Sequence, residues 1–492
     1  MQSLVKELSE VYRVISGRYV DSVLLMQISR EAENMGGVAK AGAMVATPEN
    51  LSFLKLAGFH PPENVGSDSI LLAVDASTDQ EASAALEHMI KTIDRGMGIQ
   101  AQKYSLNELQ QLTSGADFTV MLISTPGQYV RDIAEKALDA GINLHIFSSN
   151  VPIEQEVELK KKGHQKGLLV MGPDCGTSII DGRGIGFANS ISGGNEVGVI
   201  GSSGTGIQEL TVQLDAAGIG VSYAIGTGSN DLTPEVGALT TMQAISMLRD
   251  KCKSIAVVCK KPDISLQNAV IDAISDIPSA FVSLGSDGHS IRGKTLVCGV
   301  IDDAVAYLSQ QLGKSISAQP EKQPLSGISE DRTLLRGYFV GGSLCYQAQS
   351  ILTKEGVQVY SNSPLDGKFL VERDFGDVNV CIDTGAEEYV MGRPHPMIDP
   401  VARNSLLVKD SARQDVRVLL FDVMLGYGSA PDPLAGLEAL KEGPALVASV
   451  CGTEKDSQNL GKISRRLEER GAYVFRSAAS AAKFAARIMK GA

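Results

Sequence analysis

Tryptophan is missing from this chain, and aromatic residues together make up only 5% of its 492 positions. With 51 glycines, that profile argues against β-sandwich cores and fits α/β domains with many tight turns. Positive charge is also short. Lys and Arg number 45 against 57 Asp and Glu, a net charge of −12, which excludes a nucleic-acid or anionic-membrane surface as the main partner. No apolar run approaches the roughly 18 residues that span a bilayer. Residues 1–10 are mixed in charge and lack the apolar stretch of a signal peptide. The seven cysteines are odd in number and form no CxxC pair, so a reduced, cytoplasmic protein is expected. No metal ligand set is expected.

What the chain does hold is a glycine-rich turn used twice. Gly201-Ser202-Ser203-Gly204-Thr205-Gly206 follows the apolar run 197–200, and Gly341-Gly342-Ser343 follows 338–340. Each turn runs into a helix-like stretch closed by glycine, at 207–218 and 344–356. A strand feeding a Gly/Ser turn at a helix N-terminus presents free amides and the positive end of the helix dipole. That is an anion site. No Lys follows as in a Walker A loop, and the spacing is not a dinucleotide fingerprint, so NAD is not expected.

Residues 11–100 read as a small α+β unit, with an apolar run at 69–74 and a helix at 81–93, and show no chemistry. Strands at 118–123, 143–147 and 167–171 then alternate with helices at 129–140 and 153–164, the pattern of a parallel doubly wound sheet. A polar linker lies near 313–333. The two Gly turns open matching series on either side of it. The first gives strands at 197–200, 255–259 and 280–284, the stretch 223–228 after the first helix, and helices at 239–249 and 265–275. The second gives strands at 337–340, 416–421 and 445–450, the stretch 380–385 after the first helix, and helices at 434–441 and 457–469. Open α/β sheets bind ligands at the carboxyl ends of their strands, so both turns should lie at functional edges.

Further candidates sit at such edges. Gly226-Thr227-Gly228-Ser229-Asn230-Asp231 is either a ligand turn or an Asx-type helix cap. Cys175 in Gly172-Pro173-Asp174-Cys175-Gly176 reads more readily as a small buried thiol than as a nucleophile. Asp383-Thr384-Gly385 mirrors the first turn in the second half. The proline-stiffened insert 386–412 carries His395 and Asp399. His395 is a candidate base or holder of an anion, because long irregular segments in compact domains are often functional; the alternative is a hydrogen-bonded His in a surface hairpin. Asp422, ending a strand before Gly426 and Gly428, is a candidate acceptor for substrate N–H groups or for a metal. His289, in a Gly-rich loop, is either solvated or a phosphate carrier.

Together these strings resemble the α subunit of succinyl-CoA synthetase and the NDP-forming acyl-CoA synthetase superfamily. Gly172-Pro173-Asp174-Cys175-Gly176 is similar to that family's Gly-Pro-Asn-Cys-Pro-Gly turn, with Asp in place of Asn. Ser203-Gly204-Thr205 is similar to its phosphate-contacting Ser-Gly-Thr turn, and 225–231 to its Gly-x-Gly-Gly-Asp stretch. Residues 334–492 resemble the flavodoxin-like C-terminal domain of the β subunit. Within the superfamily the chain is identified as resembling the FdrA family. The carrying strings are Met171 to Thr177, Gly341 to Cys345, Arg393-Pro394-His395-Pro396-Met397-Ile398-Asp399-Pro400 and Leu425-Gly426-Tyr427-Gly428.

The resemblance implies an α/β protein with an α+β region at 1–100 and a Rossmann-like CoA-binding-type domain at 101–194. Two flavodoxin-like, doubly wound ligase domains follow at 195–315 and 334–492, joined by a linker at 316–333. It implies phosphate binding by Ser202, Ser203, Gly204, Thr205 and Gly206. It implies substrate binding by Gly228, Asn230, Asp231, Gly341, Gly342, Ser343, Asp383, Asp399 and Gly426, with His395 and Asp422 in catalytic roles. The ligases' CoA-binding Gly turn has no counterpart in 1–117, and their phosphohistidine loop survives only as Gly288-His289-Ser290. Where they orient the phosphohistidine with Glu, this chain has Cys259-Lys260-Lys261-Pro262. CoA is therefore not an expected cofactor, and any ATP use falls to a partner subunit. The family link implies a carbamoyltransferase-type complex, converting oxalurate and phosphate to oxamate and carbamoyl phosphate in anaerobic allantoin breakdown. An acyl-CoA ligase subunit and a non-catalytic scaffold are the alternatives.

Overall fold

Alternating apolar residues along 70–76 send side chains to both faces of one strand, and both faces are covered. In the first unit, β1 (Ser9–Ile15), β2 (Val38–Val45) and β3 (Ile70–Ala76) pair antiparallel in the order β1-β3-β2. Ile70, Leu72 and Val74 pack with α1 (Ser22–Glu33) and α3 (Asp79–Met97), through Leu25, Ile28, Ala82, Met89 and Ile93. Leu71 and Ala73 meet Leu54 of α2 (Pro48–Leu56) on the opposite face. This is the α+β unit expected at 1–100. The computed structural model describes residues 9–16, 20, 22–62, 64–66, 69–97, 119–315, 331–371, 375–390 and 393–491. The chain divides into two compact units, 1–104 with 386–395, and 105–385 with 396–492.

The second unit begins with a small parallel sheet, β4 (Val120–Ile123), β5 (Asn143–Ile146) and β6 (Val170–Met171), alternating with α4 (Val130–Asp139) and α5 (Ile153–Gln165). Phe118 of the expected strand lies outside the described residues, as does 316–330 of the expected linker. The hairpin β7 (Thr177–Ile180) and β8 (Arg183–Gly186) leaves this sheet and joins the next, β7 pairing antiparallel with β10. Residues 177–186, read from sequence as part of the Rossmann-like domain, are thus built into the neighbouring sheet.

Both halves follow one plan. In the first run β9 (Val197–Gly201), α6 (Gly204–Ala216), β10 (Tyr223–Gly226), α7 (Leu239–Arg249), β11 (Ser254–Lys260), α8 (Ile264–Ile274), β12 (Ser279–Leu284), β13 (His289–Arg292), β14 (Thr295–Cys298) and α9 (Ile301–Gln311). In the second run β15 (Leu334–Phe339), α10 (Gly342–Lys354), β16 (Val380–Asp383), α11 (Val401–Ser411), β17 (Val416–Met424), β18 (Ala445–Cys451), α12 (Leu460–Glu468), β19 (Tyr473–Phe475) and α13 (Ala478–Met489). Five strands of the first sheet lie in the order β10-β9-β11-β12-β14, and the second sheet reads β16-β15-β17-β18-β19. All eight neighbouring pairs are parallel. Numbered within each half, both orders are 2-1-3-4-5, the flavodoxin-like arrangement. The expected duplication is therefore a duplication of topology.

Two helix expectations change. Residues 434–441 hold only a 3-10 turn, Leu437–Ala439, because Gly436 takes a left-handed φ of 86° just after Pro433. The helix expected from 457 starts at Leu460, where the Asn459 side chain accepts from the Lys462 amide. The halves share one core, in which Val199, Ile207 and Leu210 belong to the same cluster as Leu344, Ala348, Ala481 and Phe484. No helix among the described residues is long and apolar enough to cross a membrane.

Candidate functional site

Sequence reading started the two helices after the glycines, but the glycines are themselves the first helical residues, Gly204 in α6 and Gly342 in α10. Each turn lies at the carboxyl end of its first strand, where the strand order reverses and α/β sheets bind ligands. In the first turn the Ser202 amide donates to the Val258 carbonyl at 3.1 Å. The Ser203 hydroxyl accepts from the Gly206 amide at 2.9 Å and caps α6. Those two serines thus build the turn. In the second, Gly341 is the N-cap and offers no side chain to cap the first amides of α10.

The turns meet. A Cβ on Gly341 would lie 2.6 Å from Thr205 Cγ2 and 3.2 Å from Thr205 Oγ1. A Cβ on Gly342 would lie 2.5 Å from Asp383 Oδ2 and 3.5 Å from Lys260 Nζ. Only glycine permits this approach without pushing the neighbour away. Thr205 is 6% exposed, and its hydroxyl makes no hydrogen bond among the described residues. The residue is buried but its hydroxyl oxygen keeps some accessible surface, so it is open to an incoming acceptor. Two helix N-termini and this hydroxyl of α6 thus lie together, the kinds of donor from which an oxyanion cradle can be built.

Two groups support the cradle from below. Asp422 is fully buried, and its Oδ1 accepts from the Val340 amide at 2.8 Å, just before the second turn. Its other neighbour is the buried Arg403, Nη1 to Oδ1 at 3.7 Å. Burial outweighs that loose pairing, pushing the Asp422 carboxyl up to about 6 and the Arg403 guanidinium down to about 10. Asp422 was expected in a catalytic role; the structure leaves its carboxyl no exposed surface and sets it against the amide that precedes the second turn. Glu209 of α6 is also buried, accepting from the Ala478 amide at 3.2 Å across the halves. Burial, with Asp302 nearby, pushes its carboxyl from 4.5 up to about 8.

That shift has a sign. The folded chain keeps the Glu209 proton up to about pH 8, while the unfolded chain loses it near 4.5. Stability should therefore fall as pH rises between those values, by up to about 1.4 kcal/mol per pH unit. Glu209→Gln cannot lose the proton and should flatten the slope of Tm against pH; an unchanged slope would rule this out.

The remaining predicted residues divide. Ser343 lies in the first turn of α10, and Asp383 approaches it from the end of β16 with Oδ1 accepting from the Gly385 amide at 2.9 Å. Both belong to the cradle. Asn230 and Asp231 do not. Asn230 donates to Glu156 Oε2 at 3.0 Å, and Asp231 holds Lys160 and the amides of Thr240 and Thr241. The capping alternative is what the structure contains there, and Asp231, with no exposed surface, has no oxygen left for a ligand. Gly228 packs on the Pro173 carbonyl, and Gly426 exchanges hydrogen bonds with Gln458. Asp399 accepts from the Val401 amide at 3.2 Å, at the start of α11. His395 falls with the first unit and Asp422 with the second, so neither unit alone contains the expected catalytic pair.

Cys175 is buried with its Sγ 3.8 Å from His145 Nδ1. Burial pushes the thiol up to about 11 and the imidazole down to about 4, leaving both neutral and the thiol unreactive. His289 is not in a loop. It opens β13, paired with Cys298, and its exposed ring lies 3.5 Å from Asp303.

Sequence reading noted Lys260 only as a departure from the ligases. It ends β11, the strand beside β9, and that edge position was the available signal.

Comparison with known proteins gives the following. Residues 8–106 match the family model described as AllF, heavy metal-associated domain, and residues 338–488 match the CoA-ligase model. The uncharacterized protein YahF of Escherichia coli (strain K12) is 32% identical over 490 residues, covering 92% of this chain and 93% of that protein. The α subunit 1 of an ADP-forming succinate–CoA ligase from Archaeoglobus fulgidus is 26% identical over 156 residues, 31% of this chain and 52% of that protein. A solved dinucleotide-forming acetyl-coenzyme A synthetase 1 from Ca. Korarchaeum cryptofilum is 17% identical, with a TM-score of 0.32 over 76% of this chain and 83% of that chain. The residues at 8–106 do not fit a thiolate-bound heavy metal. The first cysteine of the chain is Cys175, and His60 and His88 are engaged with Glu10 and Glu31. Among the described residues no group of three His, Cys, Asp or Glu is placed to hold a metal ion.

Proposed function

The chain belongs to the family of the Escherichia coli protein YahF, and on that premise we propose that its second unit handles an acyl phosphate. In this reading it is a subunit of an enzyme of the NDP-forming acyl-CoA synthetase kind. The match of 338–488 to the CoA-ligase model and the succinate–CoA ligase relatives support the ligase class. The observation that carries the site is the unpartnered Thr205 hydroxyl facing Gly341 between two helix N-termini.

The amides opening α6 and α10 hold the phosphoryl oxygens, and Thr205 donates its hydroxyl to one of them. An acyl phosphate so held reacts when an acceptor attacks its acyl carbon. The acyl carbon–oxygen bond breaks, phosphate leaves with the electron pair, and the acceptor's proton passes to solvent. The cradle favours this step because charge grows on the phosphate it already solvates. Asp422 keeps the second turn in place through the Val340 amide.

A second reading takes the acceptor as nitrogen and the acyl group as carbamoyl. The placement of His289 on an exposed edge strand, bound to Asp303, favours it, because carbamoyl transfer needs no phosphohistidine. The match of 8–106 to the N-terminal domain of AllF is consistent with it. In that direction phosphate attacks the carbamoyl carbon of oxalurate, the C–N bond breaks, and the oxamate nitrogen takes the proton.

The test is to purify the chain with its co-expressed neighbours and assay CoA-thioester formation beside phosphate-dependent cleavage of oxalurate. Thr205→Val should lower turnover about a hundredfold in whichever assay is positive, the loss typical of one oxyanion donor. Gly341→Val, which drives a side chain into Thr205, should do at least as much. Full activity in both variants would sink the site; the assay that responds decides between the acceptors.

A further inference from the structure

One charged group at the cradle has no counterpart in the mechanism just given. Lys260 places its ammonium beside Gly342, at the start of α10. It donates to the Ser363 hydroxyl at 3.0 Å and sits 4.9 Å from the centre of the Tyr346 ring. Lys261 lies 4.9 Å from the same ring and donates to the Pro364 carbonyl at 3.2 Å. Among the described residues neither lysine has a carboxylate oxygen within 4 Å.

We propose that Lys260 is the specificity-determining residue of the twin-turn site, making it select a phosphoryl oxyanion over a singly charged carboxylate. The inference rests on reading the two turns as an oxyanion site. Three observations carry it. Lys260 Nζ stands 3.5 Å from the Cβ position of Gly342, so an anion held by the first amides of α10 lies within reach of a positive charge. Asp383 approaches the same glycine and would turn an incoming anion away, so the cradle needs a positive charge to offset it. The Ser363 bond and the Tyr346 ring also hold the ammonium in place, so little side-chain entropy is lost on binding. Thr205, nine-tenths buried and without a partner, supplies the neutral donor opposite. A carboxylate can use the amides and the hydroxyl, but a phosphoryl group has the further oxygen and charge that reach Lys260.

Calorimetry on the full chain tests this, with inorganic phosphate and acetate as probes. Wild type should bind phosphate. Lys260→Met should weaken phosphate about 10- to 100-fold, the worth of one charge-assisted hydrogen bond, and change acetate little. Lys260→Arg should restore most of the phosphate affinity, and Lys261→Met should lose less than Lys260→Met. A thermal melt confirms that each variant is folded, and Lys260→Arg carries the comparison if Lys260→Met melts early. If Thr205→Val weakens phosphate while Lys260→Met binds it like wild type, the role of Lys260 is overturned and the oxyanion site stands. If wild type binds no phosphate, both fall.

Discussion

Lys160→Met is expected to cost about 3–5 kcal/mol of stability at neutral pH, the usual effect of breaking a buried ion pair from one side. Lys160 Nζ lies 2.8 Å from Glu156 Oε1 and 2.8 Å from Asp231 Oδ1, and all three side chains are fully buried. It also donates to the Thr227 carbonyl at 2.8 Å. Glu156 and Lys160 are one turn apart on α5, while Asp231 belongs to the loop after β10 and caps α7 through Thr240 and Thr241. One ammonium therefore ties α5 to the loop between β10 and α7. Methionine fills the space of the stem but leaves two carboxylates in an apolar interior. Urea unfolding should show the loss as a lower midpoint with an unchanged m-value. Adding Glu156→Gln and Asp231→Asn should recover part of it. A midpoint within about 1 kcal/mol of wild type, the range of ordinary substitutions, would mean the cluster is not what joins these elements.

Asp422→Ala should cost a similar amount, about 3–5 kcal/mol, because it strands the guanidinium of Arg403. The Val340 amide also loses its acceptor, just where the chain enters the second turn. Arg403 keeps one good contact, its Nη1 donating to the Asp422 carbonyl at 2.6 Å, so a partial fold at low temperature is expected. Asp422→Asn retains an oxygen for Val340 and should lose less. The two variants separate roles. If Asp422 only positions the turn, Asp422→Asn should keep phosphate binding in proportion to its stability. A well-folded Asp422→Asn with no turnover but full binding would return the residue to a chemical role.

How far the sequence reached depended on the range of the interaction. Strands such as β11 and β12 are continuous apolar runs between turn signals, so they and their parallel packing could be read locally. The two Gly turns were equally legible, because a strand–glycine–helix junction is a local pattern. That Thr205 and Gly341 touch was not legible, since it depends on packing between segments 136 positions apart in the chain (341 minus 205). Lys260 was missed for the same reason, because a strand-end lysine gains meaning only from what faces it. Asn230 and Asp231 were overread because ligand turns and helix caps use the same side chains. The β7–β8 hairpin crossed an expected boundary because strand pairing, not chain order, decides sheet membership. Gly436 was the clear local signal overlooked, a glycine after a proline in a stretch read as helix.

The shared core of the two halves has a consequence for how the cradle responds to dilution. Thr205 comes from one half and Gly341 from the other, and their helices bury apolar faces in one cluster. Two separate polypeptides with these surfaces would assemble by mass action, and the site would come apart as protein became scarce. Here both sides are carried on one chain, so their local concentration is fixed by the covalent connection. Both sides of the proposed cradle therefore come together at any protein level at which the chain folds.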